Sequence, residues 1–149
     1  DSSEGYELDF SPLIIEQIEN IFKQDWSGLF LAFDYGKSWS DLTQRTPNGT
    51  ARTYRKHNLG TNLLKNIGNT DITADICWDF VEDTIKKYNH NMCKIESQES
   101  FFIKHSSKSI KEIIEKDRFK FSKDKLTLME LLHPGNMGQR FQAIYAIRN

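Results

Sequence analysis

The stretch GLFLAFDYG, residues 28–36, constrains the fold more than any other part of this 149-residue chain. A short, continuous apolar run bounded by a glycine reads as a strand buried on both faces, the pattern of a largely parallel α/β sheet. In open sheets of that kind, ligands bind outside the carboxyl ends of the strands. Asp34, Tyr35 and Gly36 therefore fall where a small molecule or a reacting side chain would sit.

The flanking segments supply the other elements. DFSPLIIEQIENIF carries a helix start, with Ser11 suited to cap the free N–H groups and Pro12 to the first turn. Ile14, Ile15, Ile18, Ile21 and Phe22 follow as one apolar stripe, which predicts a helix packed on the sheet. From Lys37 to about Asn69 periodicity is lost; TPNGT marks a turn, Gly60 and Gly68 are further breaks, and a long functional or mobile loop is expected. Within it, alternation in TARTY puts Thr50, Arg52 and Tyr54 on one side of an extended segment.

DITADICWDFVEDTIKKYN then changes period partway. Ile72, Ala74 and Ile76 alternate with Asp71, Thr73 and Asp75, after which Phe80, Val81, Thr84, Ile85 and Tyr88 follow helical spacing. For Asp75, a helix-capping role and a functional one are equally open. MCKIES (92–97) reads as a short strand and QESFFIKHS and SIKEIIEKD as short helices. SKDKLTLMELLH is a helix capped by Ser122 or Asp124 and stopped by Pro134 and Gly135, and QRFQAIYAIRN is a buried strand. The fold class is α/β, in one folded unit over 1–149.

Composition narrows the function. Charges nearly balance, 20 Lys plus Arg against 21 Asp plus Glu, so neither nucleic acid nor an anionic membrane is indicated, and the basic run RTYRKH reads first as a solvated face. Cys77 and Cys93 are too few for a disulfide framework, so a reducing compartment is the default. No apolar run approaches the roughly 20 residues that span a bilayer, and no signal pattern opens the chain; a soluble protein is expected. The start, DSSEG without an initiator Met, fits a processed or excised piece of something longer.

Chemistry-bearing motifs are mostly missing. His57, His90, His105 and His133 are scattered, and His90 with Cys93 alone makes no zinc pattern, so no metal is expected. There is no G-x-S-x-G elbow and no glycine-rich phosphate cradle, while HPGNMG follows a helix and reads as its stop. What remains is a polar constellation: Asp34 and Tyr35 at a strand end, Arg52 and Tyr54 on the long loop, and Asp71, Thr73 and Asp75 before a helix.

The ordered series GLFLAFDYG, GTARTYRKH, DITADICWDF, SQESFF and MGQRFQAI resembles the MidA-like family of S-adenosylmethionine-dependent methyltransferases, which includes a mitochondrial assembly factor for respiratory complex I. The resemblance runs from about Gly5 to Ile147. It implies the C-terminal half of a class I methyltransferase, a Rossmann-like sheet whose last strand is antiparallel. GLFLAFDYG would be the fifth strand, MCKIES the sixth and RFQAIYAIR the antiparallel seventh lying between them. The family's glycine-rich cofactor loop, the acid after its second strand and its EffDAlP-type motif do not occur here. S-adenosylmethionine would thus be bound mainly by residues outside this chain, and the chain alone would be inactive.

The resemblance further implies arginine methylation in a protein substrate. Asp34, Tyr35 and Gly36 match the family's DYG on the methyl-acceptor side. On that reading Asp34 or Asp71 accepts guanidinium N–H groups, Tyr35 or Tyr54 stacks on the guanidinium plane, and Gly36 lets the backbone turn sharply. Thr73 joins the substrate-binding set, and Arg52 anchors Asp71 or Asp75. A histidine is frequent in the family where this chain has Asp75. Expected partners are the protein substrate and the upstream half of the enzyme or a covering chain; the compartment would be bacterial cytoplasm or mitochondrial matrix. The alternative is a non-catalytic truncated homologue that acts as a protein-binding or assembly module.

Overall fold

Pro12, whose missing N–H is no loss in a first helical turn, opens helix α1, Pro12–Lys23. Ser11 holds the cap position without a side-chain capping bond, and its carbonyl accepts from the N–H of Ile14 at 3.2 Å. The computed structural model describes residues 4–56, 58–88, 93–116, 118–120 and 122–149. The expectations for His57, His90 and Met92 lie outside these. After α1 come β1 (Gly28–Lys37), α2 (Trp39–Gln44), β2 (Arg52–Arg55), β3 (Asn58–Gly60), β4 (Asp71–Thr73), β5 (Ile76–Cys77) and α3 (Trp78–Tyr88). They are followed by β6 (Cys93–Ser97), α4 (Gln98–His105), α5 (Ser107–Lys116), α6 (Lys123–Leu132), a bent turn (Pro134–Gly138) and β7 (Phe141–Arg148).

The chain divides into two compact units, one of Asp1–Asp25 with Tyr35–Tyr88 and one of Trp26–Asp34 with Asn89–Asn149. In the first, α1 packs on α3, with Ile18, Phe22, Val81 and Ile85 in the core. Within this unit α3 is thus a partner of the α1 stripe. β5 runs parallel to the end of β1, Gly36 opposite Ile76 and Lys37 opposite Cys77. The stretch expected to be a loop carries α2 and an antiparallel sheet in which β2 lies between β3 and β4. Its strands are only three or four residues long, too short to show alternation against a polar background.

In the second unit β7 lies between β1 and β6 and runs antiparallel to β6, with Ile95 opposite Ile144. This is the strand order that the resemblance implied. Phe33 stacks on Phe102 and meets Phe101 edge to face, both from α4, and Phe101 also meets Tyr145 of β7. Ser122 caps α6 by accepting from the N–H of Lys125 at 3.1 Å. The expectation for GLFLAFDYG needs two corrections. Leu29 and Leu31 are exposed, so the strand is not buried on both faces. It also does not stop at Asp34–Gly36 but runs on to Lys37.

Candidate functional site

The extra length of β1 changes what its end presents. Side chains alternate along a strand, so Tyr35 and Lys37 share one face while Asp34 points to the other. Gly36 is not there for an unusual φ, since it is absent from the positive-φ residues. It is there for space: a Cβ at Gly36 would lie 2.1 Å from Nε1 of the buried Trp78. The expected sharp turn at Gly36 is therefore replaced by close approach of an indole to a flat strand.

The β2–β4 pair assembles most of the remaining candidates. Arg52 lies opposite Thr73 and Tyr54 opposite Asp71, and residues directly opposite in an antiparallel pair share a face. Arg52, Tyr54, Asp71 and Thr73 thus form a two-by-two patch. The Arg52 guanidinium stacks on Tyr35, 4.9 Å from the ring centroid, which ties the end of β1 to the patch. Asp34 is half-buried and belongs to the other unit's stretch of β1.

Arg52 anchors Asp75, one of the two acids expected for it. Its Nη1 donates to Asp75 Oδ1 at 2.7 Å, while Lys37 Nζ lies 2.6 Å from Oδ2. Burial opposes ionisation of Asp75, yet the hydrogen bonds and charges of Lys37 and Arg52 outweigh it and hold the carboxyl below the usual carboxylate range. The same contact, with Tyr54 assisting, overcomes the burial penalty on Arg52 and raises its pKa. Asp75 is therefore an ion-pair centre and does not spend its carboxylate on a helix cap.

Asp71 behaves differently. It is exposed and has no hydrogen-bond or ion-pair partner among the described residues. Beside it, the Thr73 hydroxyl oxygen is buried without a hydrogen-bond partner, an orphan that a bound polar group would satisfy. RTYRKH splits across the sheet. Arg52 and Tyr54 face this patch, whereas Arg55 and Lys56 line an open hollow with Asn58, Lys65 and Asn66.

Three contributors were not singled out in the sequence. Lys37 is hidden in the sequence because the apolar run ends before it. Trp78 had no motif, and Asp9 sits in a polar stretch without periodicity. Asp9 Oδ2 accepts from the N–H of Thr50, from the N–H of Ala51 at 2.9 Å and from the Thr50 hydroxyl at 3.1 Å. Thr50 in turn accepts from the N–H of Asp75 through its hydroxyl at 2.9 Å and from Arg52 Nη1 through its carbonyl at 3.1 Å. The one sequence signal for this arrangement is the glycine of NGT, since Gly49 has φ +68°.

Among the described residues no three His, Cys, Asp or Glu side chains form a metal-like cluster, and Cys77 and Cys93 are free thiols. Among the described residues no helix is long and apolar enough to cross a membrane. The donors that follow β1 are also internally occupied: the N–H of Trp39 donates to Asp79 Oδ2 at 2.7 Å and that of Asp41 to the Ser38 hydroxyl at 3.1 Å.

Residues 8–95 match the model of a family described as "Putative S-adenosyl-L-methionine-dependent methyltransferase". No curated protein matches. Two solved structures from Burkholderia thailandensis are similar in fold, each with TM-score 0.87. One, described as an uncharacterized ACR protein, is 19% identical; the other, described as a "likely methyl transferase" bound to S-adenosyl-homocysteine, is 20% identical. Each alignment covers 99% of this chain, which spans only 40% and 39% of those two chains.

Proposed function

The chain belongs to this family of S-adenosyl-L-methionine-dependent methyltransferases, and from that premise we propose that it forms the acceptor side of an enzyme that methylates arginine in a protein. The observation that carries the proposal is the division of labour between two acids. Asp75 is consumed by Lys37 and Arg52, whereas Asp71 stands open beside Tyr54. An open carboxylate next to an aromatic ring fits a planar cation, which it can grip through paired N–H groups while the ring stacks on its face. Methyl transfer needs its nucleophile held in line, so positioning of this kind contributes much of the rate.

S-adenosylmethionine would be held by parts of the enzyme outside this chain, as the occupied donors after β1 and the chain's share of the similar structures suggest. The isolated chain would then be inactive. Arginine methylation linked to assembly of respiratory complex I is the finer form of the proposal, and it rests on the family resemblance alone. Exposed Leu29, Leu31 and Ile147 favour a second reading, a non-catalytic module that covers these residues with a partner.

Two titrations test the first reading. Calorimetry with S-adenosylmethionine should give no saturable heat; micromolar binding would overturn the placement of the cofactor outside the chain. An arginine peptide followed by NMR should perturb Tyr54 and Asp71, and Asp71→Asn should weaken binding by about tenfold, as expected for a lost charge-assisted pair. Equal binding by wild type and variant would refute the role of Asp71.

A further inference from the structure

The geometry points to Asp9 as a positioning residue of this site, acting through Thr50 on Asp75 and Arg52. Its purpose rests on the acceptor reading above; the relay itself does not. A threonine hydroxyl has one proton to give. Here that proton goes to Asp9 Oδ2, so the oxygen's lone pairs are left for the N–H of Asp75 at 2.9 Å. Without the Asp9 carboxylate the hydroxyl is free to rotate, and its bond to Asp75 loses its fixed direction. The Thr50 carbonyl simultaneously holds Arg52 Nη1. One residue thereby fixes both the backbone of the site's buried anion and the cation stacked on Tyr35.

The surroundings are shaped for this contact. Asp9 and Asp75 line the same small hollow, with Ile14, Cys77 and Phe80 around them. A Cβ on Gly49 would come within 2.8 Å of Asp9 Oδ2, so the NGT turn leaves room for the carboxylate. The segment bearing Asp9 is fastened independently: Tyr6 OH donates to the Leu42 carbonyl at 2.7 Å and accepts from the N–H of Thr46 at 3.0 Å, and the N–H of Glu7 donates to the Pro47 carbonyl at 3.0 Å.

The test is hydrogen exchange by NMR on the whole chain, reading the Asp75 amide and the Arg52 guanidinium protons against the core amide of Ile85. Asp9→Asn and Thr50→Val should each speed exchange at Asp75 and Arg52 by about tenfold relative to Ile85, the loss of roughly one charge-assisted hydrogen bond. Thr50→Ser, which keeps the hydroxyl, should restore wild-type protection at both. A merely structural Asp9 would loosen Thr50 and Ala51 alone, or Ile85 in parallel, and either result overturns the relay. Arginine-peptide affinity is measured on the same variants. If the wild type binds no peptide the acceptor reading fails, while the exchange data still decide for or against Asp9.

Discussion

Replacing Asp75 with Asn removes the one anion shared by Lys37 and Arg52, and its cost can be bracketed. Breaking a buried ion pair by deleting one partner costs about 3–5 kcal/mol, whereas an exposed pair is worth roughly 0.2–1 kcal/mol. The Asp75 side chain is 8% exposed, that of Arg52 20% and that of Lys37 38%. Water screens the Lys37 contact and only partly the Arg52 contact, which places the loss at about 2 kcal/mol at neutral pH. The pH dependence follows from the depressed carboxyl. A carboxyl whose folded pKa lies below its unfolded value, near 3.9, stabilises the fold above that value and loses the effect as pH falls through the folded one. Urea unfolding followed by tryptophan fluorescence should therefore show a constant gap between wild type and variant down to about pH 5, closing below about pH 4. A gap under about 0.5 kcal/mol at neutral pH, the level of an ordinary surface change, would refute the ion-pair argument. So would a gap that stays constant through acid.

Gly36→Ala should destabilise by about 3 kcal/mol in the same unfolding assay, because a Cβ 2.1 Å from the Trp78 indole overpacks a site with no flexible neighbour to yield. A loss under about 1 kcal/mol would mean that the indole shifts freely. Gly49→Ala should cost about 1–2 kcal/mol from its φ of +68° alone, and it should also lower protection of the Thr50 amide by displacing Asp9. Unchanged exchange at Thr50 would count against that contact. Tyr145 donates to Glu96 Oε1 at 2.8 Å, and burial with the Glu96 carboxylate pushes its phenol up to about 12. Its stabilising effect is therefore present below the ordinary phenol range and lost as pH rises through the folded value. Tyr145→Phe should remove about 1 kcal/mol at neutral pH and delete the latest phenolate step of an ultraviolet titration; an unaltered titration would refute the assignment.

The helices and the long strands were legible because their apolar spacing is local. α3 buries Val81, Thr84 and Ile85 from the stripe read in the sequence, and β7 buries Ala143, Ile144 and Ala146. The small sheet was not legible, because what stabilises β2 is pairing with β3 just after it and with β4 further along the chain, and not any pattern within RTYR. Even so, alternation in TARTY correctly put Arg52 and Tyr54 on one side. Asp9 was invisible for a different reason: a single acid in a polar stretch acquires meaning only when a distant turn supplies its donors. The stripe of α1 specifies that a face is buried without specifying against what, and α3 is the partner seen within its unit.

Where β1 ends decides which acid is held in ion pairs. Had the strand stopped at Asp34, Asp34 and Tyr35 would have opened into one loop, and either could have met a ligand. Because it continues, alternation separates them and brings Lys37 to the face of Tyr35. Lys37 is the second cation that Asp75 requires: with Arg52 alone, a carboxylate this buried would satisfy only one of its oxygens. With both oxygens taken, Asp75 is held in place, and the Arg52 guanidinium that it grips is the one stacked on Tyr35. On the patch this leaves Asp71 as the exposed carboxylate, opposite Tyr54, the one that the proposed cationic acceptor would meet. The four residues by which the strand outruns its apolar run, Asp34 to Lys37, thus turn a set of interchangeable acids into one held in ion pairs and one that stays exposed.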